Sequence, residues 1–142
     1  MQKTSIMIIN DSRSMRLFLE EVIKSFADFE IIGSYFDGNL ALDALRTKKP
    51  DVILLDLEMP NMDGLTFLEK LSQDQKYPTI ILSNYAIDGS EMINQAIDLG
   101  AVSSLVPPPS NKIEDLEKFK NILHHRITIA SLKSNRFTLE CK

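Results

Sequence analysis

The chain has 142 residues, which at roughly 100–200 residues per domain is the length of one domain with little left for a second. Hydrophobic residues make up 44% and charged residues 25%, the balance of a globular chain, which excludes disordered, collagenous and low-complexity classes. The 16 Lys and Arg against 20 Asp and Glu give a net charge of −4, so the broad basic footprint of a nucleic-acid binder is missing and no nucleic-acid partner is expected.

The single cysteine, Cys141, can form neither an intrachain disulfide nor a thiolate metal site, which fits a reducing compartment. The segment Met1 to Ser5 leads into an apolar run of four residues, far short of a signal-peptide core or of the roughly 20 residues that span a bilayer. A cytoplasmic protein with no membrane partner is expected.

Ile6 to Ile9 reads as a strand. After Asn10 and Asp11, apolar residues at Met15, Phe18, Leu19, Val22, Ile23 and Phe26 recur at intervals of three and four, which predicts a helix with Ser12 or Ser14 as its cap. The chain continues with predicted strands over 30–35, 52–55, 79–82 and 103–106, and with predicted helices over 39–46, 65–71 and 90–99. Runs 6–9, 52–55 and 79–82 are continuously apolar, the signature of strands covered on both faces by helices in a parallel sheet. An open, doubly wound α/β sheet follows. From Ser110 onward, Ile113, Leu116, Phe119, Ile122, Leu123, Ile127 and Ala130 predict a long amphipathic last helix. The roughly 35 residues after the last strand are too few for an output domain of ordinary size.

In such a sheet, ligands bind beyond the carboxyl ends of the strands. Those ends carry Asn10 and Asp11, Asp56, Ser83 and Asn84, and Pro107 to Pro109. Asp56 follows the rigid run Val52 to Leu55 and is a candidate nucleophile. In a sheet of order 2-1-3-4-5, Asp11 lies beside Asp56, and two such carboxylates repel unless a cation sits between them. Mg²⁺, which takes carboxylates, waters and phosphate oxygens, suits the place, and the main-chain carbonyl of Glu58 offers a further ligand. The Ser83 hydroxyl is placed to bond a phosphoryl group on Asp56. A lone Asp after a strand is ordinarily a turn residue or helix cap, but polar residues ending three separate apolar strands form a pattern that turns do not require.

The run from Asp51 to Leu65, DVILLDLEMPNMDGL, resembles the phosphoacceptor block of two-component response-regulator receiver domains. Further matching pieces are Asn10 to Ser12 with Met15 and Arg16, Asp37 and Gly38 with Ala41 and Leu42, Pro78 to Ser83, and Ala96 to Ala101. The resemblance spans residues 3–109. Within the superfamily the chain looks most like the receiver of chemotaxis protein-glutamate methylesterases, through Asp11 to Arg16, Leu57 to Pro60, Gly89 to Glu91 and Leu99 to Val102.

The resemblance implies a flavodoxin-like (βα)₅ fold and a cytoplasmic phosphorelay role. In that role Asp56 accepts phosphoryl from a histidine kinase or phosphotransfer protein. Asp11, Asp56 and the Glu58 carbonyl hold Mg²⁺, and Ser83 senses the phosphoryl group.

Three positions depart from the family. Its phosphate-pairing Lys is Pro107, which has neither ammonium nor N–H to offer. Its switch aromatic is Ser104, and its first acidic residue is Asn10, which reaches the metal only through a water. Two further readings therefore stand beside the phosphorelay switch: a phosphorylation-independent docking module, and the N-terminal fragment of a methylesterase. A flavin-binding protein fits the fold, but Asp11 stands where a flavin phosphate needs a hydroxyl cradle. No enzymatic turnover beyond self-phosphorylation is expected.

The expected division is a receiver over 1–123 and a helical extension or linker over 124–142, serving as a dimerisation arm or as the start of a connection to an esterase. His124 and His125 point about 100° apart and read as a solvated helix end, not a metal pair. The family pattern suggests a cis Pro107–Pro108 bond, and Asp63 reads as a helix cap. A downstream protein is expected on the face of the fourth helix, fifth strand and fifth helix, with Met92, Gln95, Ser103, Leu105 and the stretch after Asn111.

Overall fold

The centre of the molecule is built from strands that have no solvent-facing side. The computed structural model describes residues 2–59, 62–74, 77–84 and 91–134. The elements are β1 (Thr4–Ile9), α1 (Arg13–Lys24), β2 (Phe29–Tyr35), α2 (Gly38–Ala44), β3 (Val52–Asp56), α3 (Gly64–Asp74), β4 (Thr79–Leu82), α4 (Glu91–Asp98), β5 (Ala101–Leu105) and α5 (Ile113–Ser131). All strand pairings are parallel, and the order is β2-β1-β3-β4-β5, as the sequence predicts.

Alternate residues of the central strands enter opposite cores, because successive side chains of a strand point to opposite faces. Met7, Ile9, Ile53, Leu55 and Ile81 pack with Phe67, Leu68 and Ala96 of α3 and α4. Ile6, Ile8, Val52, Leu54, Ile80 and Leu82 pack with Leu19, Ile23, Phe119 and Leu123 of α1 and α5.

The end of the sheet away from the strands' carboxyl ends carries a polar clasp. Asp51 accepts from both the backbone N–H (2.9 Å) and the hydroxyl (3.2 Å) of Ser5. The Asp51 N–H in turn bonds the Ser5 carbonyl at 2.8 Å.

Caps and turns set the element ends. Ser12 caps α1, accepting from Met15 N–H at 3.2 Å, and Asp37 caps α2 through Leu40 N–H at 2.9 Å, which starts that helix one residue before the predicted Asn39. Asp63 accepts from Thr66 N–H at 2.8 Å, the capping bond expected of it. Ser90, the predicted start of the fourth helix, lies outside the described residues, as do Pro60, Asn61 and Gly89. Gly100 has φ +115°, a value that favours glycine. The turn it makes brings the chain into β5 at Ala101, two residues before the predicted Ser103, and Val106 falls outside the strand.

Two expectations are corrected in this region. No cis peptide bond occurs among the described residues, so Pro107–Pro108 is trans, the isomer that an X–Pro bond favours by about 0.5–1 kcal/mol. The two histidines are not a helix end, since α5 runs unbroken to Ser131 and buries Ile127 and Ala130 beyond them. His124 packs 4.6 Å from the Phe26 ring and 4.8 Å from the Phe29 ring, and its Nε2 lies 3.0 Å from Asp28 Oδ2. The apolar ring body suits the aromatic pair while the polar tip stays with the carboxylate. His125 is exposed.

Gly64 opens α3 directly under the end of β3. A Cβ there would lie 2.7 Å from Leu57 Cα and 2.9 Å from the Asp56 carbonyl oxygen, closer than packed atoms come. Gly64→Ala is expected to destabilise the fold by about 1–3 kcal/mol, seen as a lower midpoint in urea unfolding.

Candidate functional site

Parallel register places the site. Ile9 pairs with Leu55 and Asp56 with Leu82, so Asn10, Asp11, Asp56 and Ser83 all emerge at one edge of the sheet. They line a cleft of about 260 Å³ together with Ser12, Met15, Glu58, Leu82, Asn84 and Pro107. The residues that the sequence nominates are thus brought together from three strand ends.

Within the cleft, Asp56 accepts from the Glu58 N–H at 3.0 Å. Burial pushes its carboxyl up from 3.8 to about 7; the Glu58 N–H opposes that rise, and the neighbouring Asp11 and Glu58 carboxylates add to it. Desolvation and like charge both disfavour an ionised carboxylate, and here they outweigh one hydrogen bond. Ser83 is buried, and its hydroxyl donates to Glu58 Oε1 at 2.8 Å. Buried Asn10 accepts from Ser12 N–H through Oδ1 at 2.9 Å, and its carbonyl takes a 2.8 Å bond from Arg16.

The donor set fits a hard divalent cation. Among the described residues no group of three His, Cys, Asp or Glu side chains is arranged to hold a metal by itself. The cleft instead has Asp11 and Asp56 side by side, electrostatically strained against each other. A cation that binds one or two carboxylates, a carbonyl and several waters matches this arrangement, whereas a soft metal needing thiolate or imidazole does not.

Pro107 lines the cleft at the position expected of the phosphate-pairing Lys, and none of the described lining residues is cationic. Ser104 carries no ring, and its carbonyl accepts from Arg126 at 2.8 Å, while the same guanidinium bonds the Ser103 hydroxyl. Leu105, expected on the outer face, is buried in the α1–α5 core, because the strand's inward alternation falls on it. Neither the Glu58 carboxylate nor Arg126 is nominated by the sequence reading. Glu58 stands two residues after Asp56, which is the signal that could have drawn attention to its side chain as well as to its carbonyl.

Residues 6–118 match the response regulator receiver domain, and the chain belongs to that family. Within it, the chain is similar to protein-glutamate methylesterase/protein-glutamine glutaminases. It is 40% identical over 131 residues to that of Nitrosomonas europaea, covering 92% of this chain and 37% of the relative. It is 41% identical over 116 residues to that of Bdellovibrio bacteriovorus, covering 82% of this chain and 33% of the relative. The chain therefore spans about a third of the length of these curated relatives.

Among solved structures, the response regulator domain of Thermotoga maritima CheB superposes with a TM-score of 0.83 at 27% identity, covering 92% of this chain and 97% of that one. A complex of the P1 domain of CheA3 with CheY6 from R. sphaeroides matches with a TM-score of 0.72 at 30% identity, covering 90% and 99%. No helix among the described residues is long and apolar enough to cross a membrane.

The raised Asp56 carboxyl gives a pH dependence of definite sign. An acid whose folded pKa lies above its unfolded value favours the fold fully below the unfolded pKa, and that contribution is lost as pH rises through the folded one. Without divalent cations, the wild type should lose stability between pH 3.8 and about 7. Asp56→Asn should therefore raise the melting temperature more at pH 8 than at pH 4, measured by thermal unfolding in EDTA.

Proposed function

We propose that the chain is a phosphorelay switch in a chemotaxis-like two-component system. Asp56 accepts a phosphoryl group from the phosphohistidine of a histidine kinase or phosphotransfer protein, and the change is read by contact with another protein. The observation that carries this reading is the convergence of Asp11, Asp56 and Ser83 in one cleft.

In the reaction, an Asp56 carboxylate oxygen forms the new P–O bond as the P–N bond of phosphohistidine breaks and imidazole takes the bonding pair. The attacking form is the ionised carboxylate, and the rigid end of β3 holds it in position. Asp11, Asp56 and the Glu58 carbonyl would hold Mg²⁺, with Asn10 reaching it through a water. Bound there, the ion supplies positive charge to the two carboxylates and to the phosphoryl oxygens. Ser83 contributes a hydroxyl to the same cleft.

Partner chemistry follows from two surfaces. Beside the cleft, and sharing Asn84 and Pro107 with it, a largely apolar hollow is lined by Leu105, Val106, Pro108, Pro109, Phe119 and Ile122, with Asp115 and Lys118 as its charged members, which suits the flank of a partner helix that delivers its histidine to Asp56. The likeness to the CheA3 P1 and CheY6 complex supports such a donor. The α4–β5–α5 face, with exposed Met92 and Gln95, is the surface proposed for a downstream protein, and such a relay operates in the cytoplasm.

A second reading, a docking module that works without phosphorylation, is favoured by one observation. Arg126 fixes Ser103 and Ser104 on the outer face whatever happens in the cleft.

Incubation with a phosphorylated kinase or phosphotransfer domain and Mg²⁺ should put acid-labile phosphate on the wild type, and Asp56→Ala or EDTA should abolish it. Label no higher than the Asp56→Ala background would favour the docking module. Restoring the missing cation with Pro107→Lys should speed incorporation by about tenfold or more, since a charge-assisted hydrogen bond contributes roughly 1.5–3 kcal/mol. Quench-flow labelling of both proteins measures it.

A further inference from the structure

The Ser83 hydroxyl has one proton to donate, and in this structure it goes to a carboxylate. Ser83 Oγ lies 2.8 Å from Glu58 Oε1. The Ser83 main chain is held by its N–H bond to the Leu105 carbonyl at 3.1 Å, so a change of partner needs only rotation about its Cα–Cβ and Cβ–Oγ bonds. Glu58 is held on its main-chain side by its N–H bond to Asp56, while its side chain stands at the exposed mouth of the cleft. A phosphoryl group on Asp56 and the Glu58 carboxylate are thus competitors for the same hydroxyl.

We propose that Glu58 is the latch of the switch: its carboxylate holds Ser83 in the unphosphorylated state, and phosphorylation of Asp56 transfers the Ser83 hydrogen bond to the phosphoryl oxygen and releases the Glu58 side chain to the surface. This rests on the reading of Asp56 as phosphoacceptor. No covalent bond of Ser83 changes, and its proton stays on Oγ while the acceptor is exchanged.

Two features of this chain make the exchange the route by which the cleft reaches the surface. Ser104 has no ring that could follow a displaced Ser83, and its carbonyl is tied from outside by Arg126. Glu58, in contrast, is joined to both groups that change, through its N–H to Asp56 and through its carboxylate to Ser83. Its release leaves an unneutralised negative charge on the loop between β3 and α3. That charge adds to the repulsion of the incoming anion, so the effect of Glu58 as a latch must be separated from its effect as a charge.

The test is binding of beryllofluoride with Mg²⁺, a phosphoryl mimic, to the whole chain, measured by calorimetry for wild type, Glu58→Gln, Ser83→Ala and the double variant. Glu58→Gln keeps the shape and weakens the acceptor. It should tighten binding roughly 5- to 10-fold when Ser83 is present and less than about twofold when Ser83→Ala has already been made. Independently of any substitution, the Glu58 side-chain carboxyl ¹³C resonance of the wild type should shift on adding the mimic.

Equal factors in the two backgrounds, or an unmoved Glu58 carboxyl in a wild type that binds, would overturn the latch while leaving Asp56 as the acceptor. A wild type that binds no beryllofluoride at all would overturn both readings.

Discussion

The structure depends on burial of the central strands on both faces. Val52, Ile53, Leu54 and Leu55 are all buried, and the next residue is a carboxylate that the strand cannot withdraw or redirect. Burial at about 25 cal/mol per Å² of apolar surface fixes the strands strongly, and parallel register then carries Asp11, Asp56 and Ser83 to one edge. The proximity of two carboxylates is unfavourable in itself, and it adds to the rise of the Asp56 carboxyl that burial chiefly causes. Core packing imposes an electrostatic conflict that a cation between the carboxylates would relieve.

The departures from the family pattern form a coherent set. Pro107 removes a cation from the cleft, and Ser104 removes a ring from the outer face, where Arg126 bonds the backbone instead. The cleft keeps polar side chains at Glu58 and Ser83, which are bonded to each other. Substitutions that would weaken a switch relying on β5 thus leave intact a connection through the β3–α3 loop. The adjoining hollow is largely apolar where prolines leave β5, with Asp115 and Lys118 of α5 as its charged members.

Much of this was legible in the residues. Continuous apolar runs give parallel strands because only double-sided burial tolerates them, and the residues ending those runs give the cleft. Boundaries were less legible. The start of β5 depends on the backbone angle of Gly100, which periodicity does not encode, and the burial of Leu105 depends on its sharing a core with Phe119 and Leu123 of α5, which local spacing does not show. Spacing from Asp56 points to the Glu58 carbonyl because it concerns the main chain, whereas the partner of the Glu58 side chain, Ser83, is 25 residues away. His124 is a similar case. Its neighbours Phe26, Phe29 and Asp28 come from the other end of the chain, and local spacing cannot show that a ring lies between two others.

The clasp between Ser5 and Asp51 has a mechanical consequence for the cleft. It bolts β1 and β3 together at the end of the sheet remote from the site, about 17 Å away at 3.3 Å per residue, through reciprocal main-chain and side-chain bonds. Ile9 and Asp56, the last residues of β1 and β3, are therefore tips of parallel beams anchored at a common base, and Asp11 stands two residues beyond the first of them. Sliding one strand past the other would have to break the anchor, so the distance between the tips is set by the foundation and not by the ligand. Whatever movement signalling needs must come from the loops and side chains beyond the tips, and the sheet itself serves as the fixed reference against which that movement is read.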